Sequence, residues 1–290
     1  MIDESCELPL WCIVQADGDR TQLTTQGPVP IQYWRTQESP AMIQRSLHRA
    51  LCIARPQRIL ATIAEAHRRW WSDPLWCLAK GRRIVDELSG RPTVTLAAAL
   101  ALIEREAGKN ALVVLQPADR FCASQDAFIA GVRRAVQTVE RLPGHVVTLT
   151  LDAYSNEPGQ DYLLLGAEDG DPGRHAVRFI KRPPPVVADR LIGMGARLST
   201  GIYVAPLATL MAILSELWPD LVAEARARTW MVDEEVLLPA RMPGTQFCRP
   251  WRHTWVQRPL PRLRAVAVDD CGFSCAAMRS ASERVARTCH

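Results

Sequence analysis

Leu10-Trp11-Cys12-Ile13-Val14-Gln15-Ala16-Asp17-Gly18-Asp19-Arg20-Thr21-Gln22-Leu23 is the stretch on which the reading of the fold turns. It opens with a short apolar run, residues 10–16, and Asp17-Gly18-Asp19 stops that run. A continuous apolar run of this length, bounded by turn residues, reads as a buried strand followed by a loop. Strands buried on both faces belong to parallel sheets covered by helices.

Working outward, the pattern repeats. Residues 40–54 place Met42, Ile43, Leu47, Ala50 and Leu51 at helical spacing. Short apolar runs at 58–63 and 84–87 read as strands, and the alanine- and leucine-rich stretch 93–107 as a long helix. Residues 111–116 form a continuous apolar run ending at Pro117, which suits a central parallel strand. A helix is predicted over 126–142 and strands over 146–151, 162–165 and 176–180. Helices over 186–194 and 206–218 flank a strand at 199–204, and 263–268 alternates as a last strand. The Pro- and Arg-rich stretch 239–261 has no clear period. Alternating strands and helices predict an α/β domain whose central sheet is mainly parallel. Ligands bind such sheets at the carboxyl ends of the strands. The loops after Ala16 and Gln116 are therefore where chemistry is expected.

Composition narrows the function classes. The chain has 290 residues, a net charge of +4, and bases interleaved with acids, so no nucleic-acid partner is expected. No run of 18 apolar residues occurs, so no membrane-spanning helix is expected. The first ten residues carry Asp3, Glu4 and Glu7 and do not read as a secretory signal. The nine scattered cysteines then read as reduced thiols of a cytoplasmic protein. Cys271 and Cys275 lack a second metal-spaced pair, so no zinc site is expected.

Motif order adds a resemblance. Residues 14–23 stand where a loop of the form L-A-G-G-x-G-T-R-L would stand, and Pro30-Ile31-Gln32-Tyr33 where P-K-Q-F would. Met42-Ile43-Gln44 opens a helix similar to S-M-L-Q-x-T-x-x-R. Glu87 to Val94 resembles E-P-x-x-R-x-T-A, and Pro117-Ala118-Asp119-Arg120 resembles P-S-D-H. Glu157 to Leu163 is similar to E-x-x-Y-G-Y-I, and Phe179-Ile180-Lys181-Arg182-Pro183 to F-x-E-K-P. Leu198 to Tyr203 is similar to W-N-S-G-I-F, and Asp270-Cys271-Gly272 to a late D-x-G. In this order, across about residues 10–275, the chain resembles the mannose-1-phosphate guanylyltransferase family of sugar nucleotidyltransferases.

The resemblance implies a three-layer, Rossmann-like nucleotidyltransferase fold with a mixed, mainly parallel sheet. It implies one domain over residues 1–275 and a tail over 276–290. The implied reaction joins GTP and mannose 1-phosphate into GDP-mannose and releases pyrophosphate; a homodimer is compatible with it. Mg²⁺ is the implied cofactor, held by Asp119 and Asp270, with Asp269 an alternative for the second position. Ala16, Asp17, Gly18 and Thr21 map onto the triphosphate loop, and Glu87, Arg91 and Thr93 onto the nucleotide side. Tyr162, Lys181, Ser199 and Gly201 map onto the sugar, and Arg182 onto its phosphate.

The loop departs from the family pattern. Asp17 and Arg20 replace glycines that would adopt positive φ, and both Asp17 and Asp19 are expected to face the triphosphate. Gln22 and Ile31 replace two cations; Arg20 is the candidate substitute for the charge. A longer relative's second, isomerase activity is not expected. Two readings stay open: a nucleotidyltransferase, and a relative that keeps the fold and binds without turnover. Trp70, Trp71 and Trp76 lie among bases and read as a partly buried helix face rather than a stacking platform. His48 and His67 read as surface or cap residues, and Arg249 to Arg264 as a solvated connection.

Overall fold

The computed structural model describes residues 10–25, 27–35, 39–71, 74–75, 77–79, 81–88, 90–154, 159–227, 231–232, 235–240, 262–268 and 274–275. In chain order the elements are β1 (Leu10–Ala16), β2 (Thr21–Thr24), β3 (Gly27–Pro30), α1 (Met42–Leu51), β4 (Ile59–Ala64), α2 (Arg68–Trp71), β5 (Arg83–Asp86) and α3 (Pro92–Ala107). There follow β6 (Leu112–Pro117), β7 (Arg120–Phe121), α4 (Gln125–Arg141), β8 (Val146–Asp152), β9 (Tyr162–Leu165), β10 (Arg174–Ile180), α5 (Pro185–Gly193) and β11 (Arg197–Pro206). The remainder are α6 (Leu207–Leu217), α7 (Pro219–Ala227), β12 (Met231–Val232), β13 (Glu235–Leu238), β14 (Leu263–Ala267) and β15 (Ser274–Cys275).

The fold is a three-layer, Rossmann-like α/β arrangement around one eleven-stranded mixed sheet, ordered β12-β13-β5-β4-β1-β6-β11-β8-β14-β10-β9. The parallel pairs β13–β5, β5–β4, β4–β1 and β1–β6 make up one half. In the other half β11 runs antiparallel to β6 and β8, while β14 runs parallel to β8. Every residue of β4 and β6 is buried, as their unbroken apolar character requires. One face is covered by α3, α6 and α7 and the other by α1 and α4, giving two large cores.

Local sequence explains the helices that frame the site. Pro92 starts α3 at the position where its missing N–H costs nothing. Residues Thr93 to Ile103 are all buried because α3 lies between the sheet and α6–α7. Ser124 caps α4 by accepting the Ala127 N–H at 3.2 Å. Among the described residues, no helix is long and apolar enough to cross a membrane.

The sequence reading did not anticipate the β2–β3 hairpin, α7 or β13. The hairpin is short, mostly outward-facing and interrupted by Pro28 and Pro30, so it lacks the apolar run that marks a buried strand. Strand β13 joins the parallel edge beside β5 from far along the chain.

Candidate functional site

The carboxyl ends of β1, β4, β5 and β6 share one edge of the sheet, as parallel pairing demands. The loop after β1 is held by its neighbours there. The buried Gln32 amide donates to the Ala16 carbonyl at 2.8 Å and the Gly18 carbonyl at 2.9 Å. Tyr33 Oη donates to the Ala16 carbonyl at 3.4 Å, and the Ile31 N–H to the Arg20 carbonyl at 2.8 Å. Gln32 was quoted in the motif match but not singled out as a site residue; a polar side chain just after a hairpin is a weak signal by itself.

Two expectations about this loop are corrected. Asp17 does not face outward: it is only 3% exposed and accepts the Thr95 hydroxyl at 2.5 Å. Thr95 belongs to the first turn of α3, where a carboxylate is favoured by the helix dipole. Nor does the loop call for left-handed backbone. Neither Asp17, Gly18 nor Arg20 has positive φ, so the replacement of glycine costs no backbone strain here. Asp19 instead exploits a different glycine. A Cβ on Gly90, in the turn after β5, would stand 2.5 Å from Asp19 Oδ2.

Arg20 and Asp119 meet across this edge. The Ala118 N–H donates to the Gln15 carbonyl at 2.9 Å, which sets the exit of β6 beside the end of β1. Arg20 Nη1 then lies 3.5 Å from Asp119 Oδ2, and Arg120 Nε 3.8 Å from Oδ1. Arg120 is itself fixed, donating to Gln160 Oε1 at 2.8 Å while its carbonyl accepts from Arg49 at 3.1 Å. Its neighbour across β7 is Cys275 of β15. Asp270, named as the second metal ligand, lies outside the described residues.

The donor set suits Mg²⁺, which takes one or two carboxylates and completes its shell with phosphate and water oxygens. Asp119 offers such a carboxylate, with its side chain 23% exposed and both cationic neighbours beyond ordinary hydrogen-bond length. Among the described residues no group of three or more His, Cys, Asp or Glu converges.

On the β5 side the predicted residues are engaged with the protein. Asp86 is fully buried and paired with Arg91, which also donates to the Pro239 and Ala240 carbonyls. Burial pushes the Asp86 carboxyl up, and the hydrogen bonds and charge of Arg91 pull it partly back. Glu87 accepts the Ala240 N–H at 2.8 Å, and Thr93 is enclosed.

Asp161 gathers the sugar-side candidates. Its carbonyl accepts the Ser199 N–H at 2.9 Å and its Oδ1 the Arg182 N–H at 3.2 Å. Tyr162, next in the chain, is buried and pairs across strands with Leu198. Ser199 Oγ accepts the Gly201 N–H at 3.3 Å, where the β8–β11 register shifts and Gly201 adopts φ +76°. Arg182 has φ +41°, a left-handed backbone held by Asp161 and by the Pro-rich turn into α5, while Lys181 is half-buried. The Arg120–Gln160 bond ties this cluster to the Asp119 edge.

Two further readings are revised and one is kept. His67 is buried, with Nδ1 3.3 Å from the Gln32 amide nitrogen, and its ring meets Tyr33 and Trp70 edge-on. Burial lowers its pKa, partly opposed by Asp19. The partly buried helix face is kept: on α2 Trp70 is half-buried and Trp71 is buried, donating to the Ala64 carbonyl at 3.1 Å, while Trp76 lies outside the described residues. Arg264 is buried in β14 and paired with Asp169 and Asp171, so the end of the 249–264 stretch is no solvated connection; residues 249–261 lie outside the described residues.

No protein-family model matches the chain. A Vibrio cholerae serotype O1 protein provisionally named mannose-1-phosphate guanylyltransferase is 24% identical over 189 residues, covering 63% of this chain. The chain spans 40% of the length of that relative. The mannose-1-phosphate geranyltransferase from Thermus thermophilus superposes with a TM-score of 0.70 at 16% identity, covering 92% of this chain and 76% of that one. The mannose-6-phosphate isomerase from Helicobacter pylori gives 0.71 at 14% identity, covering 92% of this chain and 100% of that one. The inositol-1-phosphate CTP transferase from T. maritima gives 0.52 at 13% identity, covering 92% and 89%. The fold is thus shared with proteins named as a geranyltransferase, an isomerase and a CTP transferase.

Proposed function

We propose that the protein transfers a nucleotidyl group to a sugar 1-phosphate, with GTP and mannose 1-phosphate as the first pair to test. A phosphate oxygen of the sugar attacks the α-phosphorus, the bond to the α,β-bridging oxygen breaks, and pyrophosphate leaves. Such a reaction asks the protein for positioning and charge neutralisation. The observation that carries the reading is the Arg20–Asp119 pair at 3.5 Å, which sets a cation beside the carboxylate at the β1–β6 edge. In this reading Arg20 replaces the loop cation lost at Gln22. Backbone from Ala16 to Thr21 borders the triphosphate, Asp17 acting only through its hold on α3. Tyr162, Lys181, Ser199 and Gly201 border the sugar, and Arg182 its phosphate. Asp119 would hold Mg²⁺, with Asp270 as the partner ligand, to neutralise phosphate charge.

The test is pyrophosphate release from GTP and mannose 1-phosphate with Mg²⁺. Wild type is expected to turn over and Asp119→Ala to fall by about 10²-fold or more. Absence of turnover beside an active control enzyme rejects the reading for this pair. A second reading, binding without turnover, is favoured by the two loop cations that Gln22 and Ile31 replace. Calorimetric GTP binding in a protein without turnover would select it.

A further inference from the structure

The sheet parts on its antiparallel side. Strand β10 pairs with β14 only at Arg174 and His175, opposite Ala265 and Arg264. From Ala176 it pairs with β9 instead, across a register shift. Strand β9 in turn reaches β11, with Leu163 opposite Arg197. A cavity of about 780 Å³ lies in the parting. That volume falls in the roughly 300–1,000 Å³ range of small-molecule sites. Leu165, Ala265 and Ala267 supply apolar lining, and α4 borders it with Arg134 and Arg141. None of the residues assigned above to nucleotide, sugar or metal lines it.

The lining is cationic. Arg134, Arg141, Arg174 and Arg197 face two carboxylates, Glu168 and Asp171. Asp171 is already engaged by Arg264 at 2.9 Å, and Arg264 also holds Asp169 at 2.6 Å, so the acidic loop is tied back. Arg134 donates to the Ala267 carbonyl at 2.8 Å and Arg174 to the Gly166 carbonyl at 2.6 Å. These bonds fix both guanidiniums at the rim, and each has five N–H donors, more than these contacts use.

Arg197 supplies the second observation. Its side chain is 17% exposed, and Nη1 pairs with Asp152. Its Nε and Nη2 are buried and have no hydrogen-bond partner among the described residues. Buried donors are nearly always satisfied, and leaving one bare is costly. Guanidinium forks match the paired oxygens of an anion, and a cluster of them suits a doubly charged one. We propose that the parting between β14 and the β9–β10 ribbon binds a small molecule through its phosphate group, at a site separate from the carboxyl-end loops.

Calorimetry on the full chain tests this with three probes: inorganic phosphate, mannose 6-phosphate and guanosine monophosphate. Arg141 is exposed near the end of α4, so Arg141→Glu leaves the fold alone. Arg197→Lys keeps a charge for Asp152 and removes the fork. Arg20→Ala reports on the carboxyl-end edge. At least one probe is expected to bind wild type at a single site, tenfold or more weakly after Arg141→Glu and after Arg197→Lys, and unchanged after Arg20→Ala. Which probe binds most tightly identifies the source of the phosphate. No binding of any probe at millimolar concentration overturns the proposal. So does binding that Arg20→Ala abolishes while Arg141→Glu and Arg197→Lys preserve it.

Discussion

Gln32→Met removes the amide that holds the loop after β1 while keeping the side chain's length. Two hydrogen bonds to carbonyls go, to Ala16 at 2.8 Å and Gly18 at 2.9 Å, and the 3.3 Å contact with His67 Nδ1 goes with them. Their costs differ. Ala16 is 1% exposed, so no water replaces the lost amide at its carbonyl, at a cost of about 1–2 kcal/mol. Gly18 is exposed, and water replaces the lost partner at about 0.5 kcal/mol. The total is about 2 kcal/mol, a factor of roughly 30 in the folded-to-unfolded ratio. With a urea m-value of about 3 kcal/mol/M, the midpoint falls by about 0.7 M. Tryptophan fluorescence follows the transition, since the chain has nine tryptophans. An unchanged m-value with a loss below about 0.5 kcal/mol would refute the idea that this amide organises the loop.

Other consequences follow from the same contacts. Arg91→Met leaves the fully buried Asp86 carboxylate without its cation and should destabilise by about 3–5 kcal/mol in urea unfolding; a loss under 1 kcal/mol would contradict the pairing. His67 and His145 both have pKa values lowered from 6.5, chiefly by burial, so the unfolded chain binds protons first. Stability should therefore be full above about pH 6.5 and fall on acidification below it; titrating stability in His67→Gln should show a shallower fall, and an identical slope would remove His67 from the account. Arg182→Gly relieves a left-handed backbone and should raise stability by about 0.5–1 kcal/mol, after allowing for glycine's freer unfolded chain. The same variant should weaken mannose 1-phosphate binding, measured by calorimetry, because the guanidinium is gone; undiminished affinity would release Arg182 from that role.

The parallel half of the sheet was legible because burial on both faces forces unbroken apolar runs. Strands β1, β4 and β6 announce themselves in this way. Helix α3 is readable from Pro92 and its alanines. What escaped depends on partners distant in sequence. The burial of Asp17 rests on Thr95, and that of His67 on Gln32. Asp161 reads in sequence as a lost glycine, yet it joins Ser199 and Arg182. The β2–β3 hairpin is mostly outward-facing and buries only Pro30 fully, too little buried face to leave a pattern.

The claim that bears most weight is that Arg20 stands in for the missing loop cation beside Asp119. Its direct test is the rate of pyrophosphate release from GTP and mannose 1-phosphate in wild type, Arg20→Ala and Arg20→Ala with Gln22→Arg. The account predicts a fall of about 10²–10³ in Arg20→Ala, with partial recovery when the cation returns at position 22. A rate in Arg20→Ala equal to that of wild type would contradict it.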